Sequence, residues 1–121
     1  MQSSDVLDPA AIAELRRAQE QFGNPEFISR LAGLFLENAP QRMDQIRAAV
    51  AAGDGAALER VAHTLKTNCA FLGASGMAGL CARLEDAGAR ADFDAAAHAL
   101  TESEVLFPAV LEAVAALGAR D

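Results

Sequence analysis

His63 and Lys66 are the two side chains whose types and spacing most readily allow chemistry. Imidazole is a nucleophile at neutral pH, and an ammonium one helical turn away acts as a point charge that can neutralise an anionic oxygen. At about 100° per helical residue, Leu58, Val61, Leu65 and Leu72 all fall within about 40° of the direction opposite His63. The ring therefore faces away from the main apolar stripe of its helix. Glu59, Arg60, Lys66, Thr67 and Ala70 share the outer side with it, at spacings of three and four that form one surface. Such a surface presents a titratable nucleophile beside a fixed cation, within reach of a bulky electrophile on another protein. The same residues also fit a plain solvated helix face, the common fate of a surface His beside a Lys. The second histidine, His98, has no comparable surroundings and reads as surface.

Other chemistries find little support. A di-iron centre in a helical bundle needs two Glu-x-x-His motifs and further glutamates. Here Glu59 and His63 are four apart and face outward, while alanines precede His98. No glycine-rich phosphate cradle follows a strand, so any phosphate must come from elsewhere. A net charge of -7 would repel a nucleic acid. No apolar run reaches the ~20 residues of a membrane span. The first four residues, Met1 to Ser4, lack the regions of a secretory signal, so the chain reads as cytoplasmic. Cys69 and Cys81 both lie on apolar stripes and are expected to be buried and reduced.

The elements that must position His63 follow from helix signals. The 121 residues fit one domain, rich in alanine and without Trp or Tyr, a composition that packs as helices. Polar caps recur at Asp8, Asn24, Asp54, Ser75 and Asp92, with Pro9 and Pro25 at the favoured first helical position. They predict a short opening helix near Pro9–Gln21, then four longer ones near Pro25–Ala52, Gly55–Leu72, Gly76–Arg90 and Phe93–Leu117. With loops of only a few residues, consecutive long helices should run antiparallel. The expected fold is all-α: an up-and-down antiparallel four-helix bundle with an additional short N-terminal helix. Pro40 and Pro108 fall inside the first and last long helices, where kinks or short breaks are expected. Apolar spacing continues across both, which favours bent helices over separate ones.

The stretch from Ala62 to Ala74, AHTLKTNCAFLGA, resembles the signature of bacterial histidine phosphotransfer (HPt) domains, His-x-Leu-Lys-Gly-x-x-x-x-x-Gly. The segment Gly79–Glu85 resembles that family's next helix. Asn24-Pro25-Glu26-Phe27 and Leu34–Pro40 resemble its preceding long helix, internal proline included. The resemblance runs from about Leu7 to the C-terminus, which assigns 7–121 to the domain and leaves 1–6 as linker.

The resemblance implies a phosphorelay role, in which His63 takes a phosphoryl group from a receiver-domain aspartate through Nε2 and passes it to another. Lys66 becomes the phosphate-neutralising cation. Glu85 matches a position where some members hold a carboxylate or amide on the other ring nitrogen, although an ordinary solvated acid fits the bare pattern too. Thr67, Ala70, Phe71 and Ala82 become the receiver-docking surface, with packing against a neighbouring helix the alternative for Phe71. One departure stands out, because Thr67 occupies the family's glycine. Its side chain either crowds the incoming receiver or offers a hydroxyl to the phosphoryl group. Gly73 matches the second glycine and reads as a helix terminator.

The implied partners are receiver domains of a hybrid histidine kinase, a response regulator or both, engaged by a monomer that touches neither nucleic acid nor membrane. The chain fits a free shuttle and a piece of a hybrid sensor kinase equally. No cofactor or metal is expected on the chain itself, magnesium belonging to the receiver's acidic pocket. It is then a phosphoryl carrier, not an enzyme. The rival reading is a helical interaction module that binds a receiver or another regulatory partner through the His63 face while remaining unphosphorylated.

Overall fold

A computed structural model of the chain describes residues 6–120, and among them there are five helices and no strand. They are α1 (Pro9–Phe22), α2 (Phe27–Ala52), α3 (Gly55–Phe71), α4 (Ser75–Arg90) and α5 (Phe93–Arg120). Of the expected linker 1–6, residues 1–5 lie outside the described residues, and Val6 is half-buried against the core.

Three of the five expected caps work as caps. Asp8, Asp54 and Asp92 each accept a hydrogen bond from a first-turn amide, those of Ala10, Ala57 and Ala95, which satisfies donors the helix cannot. Two expectations need correction. Asn24 turns back on Glu26 N instead of capping a helix at Pro25, and α2 starts two residues later, at Phe27. There the amide of Ile28 is met from outside, by Gln19 Oε1 of α1 at 2.8 Å. Ser75 is the first residue of α4, whose N-cap, Ala74, offers no side-chain acceptor.

Helices α2 to α5 pack in a closed ring, each long helix touching the next and α5 returning to α2. This is the expected bundle, with α1 laid along α2 as the short extra helix. The start of α1 is tied to the turn between α3 and α4, where Asp8 N donates to Gly73 O at 2.7 Å. Gly73 itself has φ 78°, the left-handed conformation that ends α3.

Ile28, Phe35, Met43 and Ile46 of α2, Leu58 and Leu65 of α3, Met77 and Leu84 of α4, and Val110 and Val114 of α5 fill the core. Neither proline interrupts its helix. Buried residues continue on both sides of each, Phe35 and Met43 around Pro40, Ser103 and Val110 around Pro108. Packing along these faces outweighs the lost backbone bond.

The α3–α4 contact is the most extensive in the fold. Near the start of α3 and the end of α4 the backbones meet at Gly55 and Gly88. A Cβ on Gly55 would lie 2.5 Å from Gly88 O, and one on Gly88 would lie 2.8 Å from Glu59 N. Only glycine allows that approach, and it brings the outer faces of α3 and α4 close enough for side chains to bridge. Farther along, Cys69 and Cys81 are free thiols, both fully buried. The hydrogen bond with Cys81 and, after it, burial push the Cys69 thiol well above its ordinary value, so it stays protonated and inert.

Candidate functional site

His63 projects from the middle of α3 with its side chain 59% exposed. Behind it Leu58, Leu65 and Leu72 are buried as the wheel predicts. Ala62 and Cys69 join them, while Val61 is only half-buried. The shift follows from packing, because α3 sits between α2 and α4 and buries an arc wider than one stripe.

Across the α3–α4 seam, Glu85 lies three residues before Gly88 and ten after the start of α4 at Ser75. Its two oxygens are divided: Oε2 is 2.9 Å from His63 Nδ1 and Oε1 is 2.6 Å from Lys66 Nζ. Glu85 is 24% and Lys66 33% exposed, so the bridge is sheltered while the imidazole stands clear. The hydrogen bond from Lys66, against a smaller opposing effect of burial and with added help from His63, holds the Glu85 carboxyl below the usual carboxylate range. Glu85 is thus ionised at neutral pH and acts as an acceptor only. The hydrogen on His63 must then sit on Nδ1, and the Nε2 lone pair points outward as the nucleophile.

Thr67 is exposed, and its hydroxyl donates to His63 O at 3.1 Å. Of its two expected roles, this geometry commits the hydroxyl to the backbone. Ala70 is exposed beside it, and Phe71 is 55% exposed and not packed away in the core. Ala82 is exposed on α4, less than one turn before Glu85. Sequence reasoning missed Gly79, which lines an apolar hollow with Lys66, Ala70, Phe71 and Ala78. Its signal was available: Ala78, Ala82 and Glu85 recur at helical spacing, and small residues on that flank leave room for a partner. Among the described residues no cluster of His, Cys, Asp or Glu could hold a metal ion.

A model of the Hpt domain matches residues 30–119, most of the chain and all of the site. The chain belongs to the Hpt domain family. Among solved structures, this Hpt domain is similar to histidine-containing phosphotransfer protein B (HptB) from Pseudomonas aeruginosa PAO1, with 27% identity, a TM-score of 0.85 and 98% of each chain covered. No curated relative matches it. Fold and family agree, and this Hpt domain is a histidine phosphotransfer module of phosphorelays. Hpt domains carry phosphoryl groups between receiver domains and are not catalysts in their own right. No helix of the described residues is long and apolar enough to cross a membrane.

Proposed function

We propose that His63 is the phosphoacceptor, with Glu85 as its orienting base and Lys66 as the phosphate-neutralising cation. The observation that carries the reading is the exposed imidazole whose Nδ1 is engaged by an ionised carboxylate at 2.9 Å. In the forward step the Nε2 lone pair attacks the phosphorus of a receiver phosphoaspartate. The P–N bond forms as the P–O bond to the aspartyl carboxylate breaks, and the carboxylate leaves with the electron pair. The Nδ1 hydrogen stays in place, so the phosphorylated ring is cationic and Glu85 offsets that charge. In the return step a second receiver aspartate attacks phosphorus and the ring leaves neutral.

Lys66 contributes a positive charge near the transferring group, which it shares between Glu85 and a phosphoryl oxygen. Thr67, Ala70, Phe71 and Ala82 supply the docking face, to which the hollow at Gly79 adds apolar area. The partners are receivers of a hybrid histidine kinase, a response regulator or both, approached by a cytoplasmic monomer built from 7–121. The domain brings no cofactor, and magnesium stays in the receiver.

The experiment is transfer of label from a phosphorylated receiver in the presence of magnesium. Wild type acquires acid-labile phosphate and His63→Gln acquires none. Equal labelling of the two proteins would move the acceptor elsewhere.

A further inference from the structure

On the α2 side of His63 the charge pattern changes. Lys66 sits about 60° round the α3 wheel toward α4, and Arg60, one turn before His63, sits about 60° the other way. Arg60 is exposed and lines a hollow between α2 and α3 that Arg42 of α2 also lines. Among the described residues neither guanidinium has a hydrogen bond or ion pair, and Arg42 Nε is sealed from solvent with no acceptor. A buried donor without a partner is costly, and a guanidinium's planar fork fits a carboxylate. In a chain of net charge -7, two unpaired guanidiniums in one groove select an acidic group.

The groove is continuous with the docking face. Thr64 lines both it and a neighbouring hollow that holds Leu34, Asn38 and Phe71. Phe71 in turn lines the hollow at Gly79. A receiver seated over His63 and Phe71 would cover this groove as well.

We propose that Arg42 and Arg60 form a carboxylate-binding anchor for the receiver domain and help determine which receivers the module accepts. The inference rests on the phosphotransfer reading. The partner contributes an Asp or Glu side chain beside its phosphoacceptor face, and the anchor fixes orientation without touching the phosphoryl group.

The test measures transfer from the host's phosphorylated receivers to wild type, Arg60→Gln and Arg42→Gln. Arg60→Gln alters an exposed site and leaves the core intact, so it stays informative if Arg42→Gln folds poorly. Each variant should raise the receiver concentration for half-maximal transfer about tenfold, as loss of a charged hydrogen bond does. Maximal rate and phosphohistidine lifetime should not change, and Arg42→Lys, which keeps the charge but lacks the Nε hydrogen, should recover only part of the loss. An unchanged half-maximal concentration in Arg60→Gln and in folded Arg42→Gln overturns the anchor alone. A shortened phosphohistidine lifetime in Arg60→Gln assigns that residue to the phosphoryl group and overturns it as well. Wild type that accepts label from no receiver removes both the anchor and the reading beneath it. Sedimentation adds a last outcome: a dimer that Arg60→Gln abolishes would make a second copy the occupant, against the proposal.

Discussion

Glu85 spends one oxygen on His63 and the other on Lys66, and the balance between them matters for reactivity. Oε2 faces Nδ1 of the ring and Oε1 faces Lys66 Nζ, so one carboxylate orients the imidazole with Nε2 outward and holds the cation beside it. Glu85→Ala should therefore shift the imidazole away from the Nδ1-protonated tautomer, visible in ring ¹⁵N shifts of the free protein, and slow transfer roughly ten- to a hundredfold, the usual effect of losing an orienting partner. Unchanged ring shifts would deny Glu85 the orienting role. The sign of the pH effect follows from the lowered Glu85 value. A carboxyl held below its unfolded value contributes stability above that unfolded value and loses it as pH falls through the folded one. The bridge should thus persist at neutral pH and dissolve only below the ordinary carboxylate range, and a carboxyl ¹³C titration should place Glu85 below an unpaired glutamate. At this scale the sequence revealed His63 through the apolar residues opposite it, and Lys66 through one turn of spacing. Glu85 could be matched only by resemblance, because its contact crosses between helices and no periodicity within α4 encodes it. The attachment of Lys66 to Glu85 was hidden for the same reason.

Helix α3 and helix α4 place these side chains through their glycine crossing, so the crossing and the site should fail together. Gly88→Ala would drive a Cβ against Glu59 N and Gly55 O, which should cost about 1–3 kcal/mol in the manner of overpacking. It should also lengthen the His63–Glu85 contact, which denaturation and the same ¹⁵N shifts would register; a fully stable variant with native ring shifts would refute the link. The same end of α4 carries the opposite opportunity three residues on. Ala91 closes it at φ 53°, a left-handed conformation that a Cβ disfavours, whereas Gly23 and Gly53 serve the comparable turns. Ala91→Gly should stabilise the fold by about 0.5–1 kcal/mol, the relief of strain less the added freedom of the unfolded chain. A lower denaturation midpoint would contradict this. Helix order and most boundaries were legible because Asp8, Asp54 and Asp92 cap by local chemistry. Asn24 and Ser75 misled because the same residue types also make turns and first helical positions. Asn24 keeps the Glu26 amide within a turn, and the first-turn amide of Ile28 is served by Gln19 from another helix, a tertiary contact that local signals do not carry. Pro40 and Pro108 kept their helices whole for a reason the pattern did show, apolar faces continuing on both sides.

Over the whole molecule, cohesion comes from the closed ring of α2 to α5 and not from the ion pairs that cross it. Arg47 reaches Glu104 of α5 from α2, and Arg83 of α4 reaches Glu102 of α5, but all four side chains are at least two-fifths exposed. Pairs so exposed contribute little once solvent screening and the ordering of long side chains are counted. Leu65 and Leu84, by contrast, are fully buried on the two helices that carry His63 and Glu85. Truncating either to alanine removes buried surface and leaves a cavity, at a cost of about 2–5 kcal/mol. Urea denaturation should therefore separate the two classes: Arg47→Ala and Arg83→Ala shift the midpoint slightly, while Leu65→Ala and Leu84→Ala shift it several times further. A larger loss from either arginine would mean that the bundle depends on its surface charges. The division also bears on function, because a core that holds the α3–α4 pair by burial leaves the outer charges of α3 free to be spent on a partner.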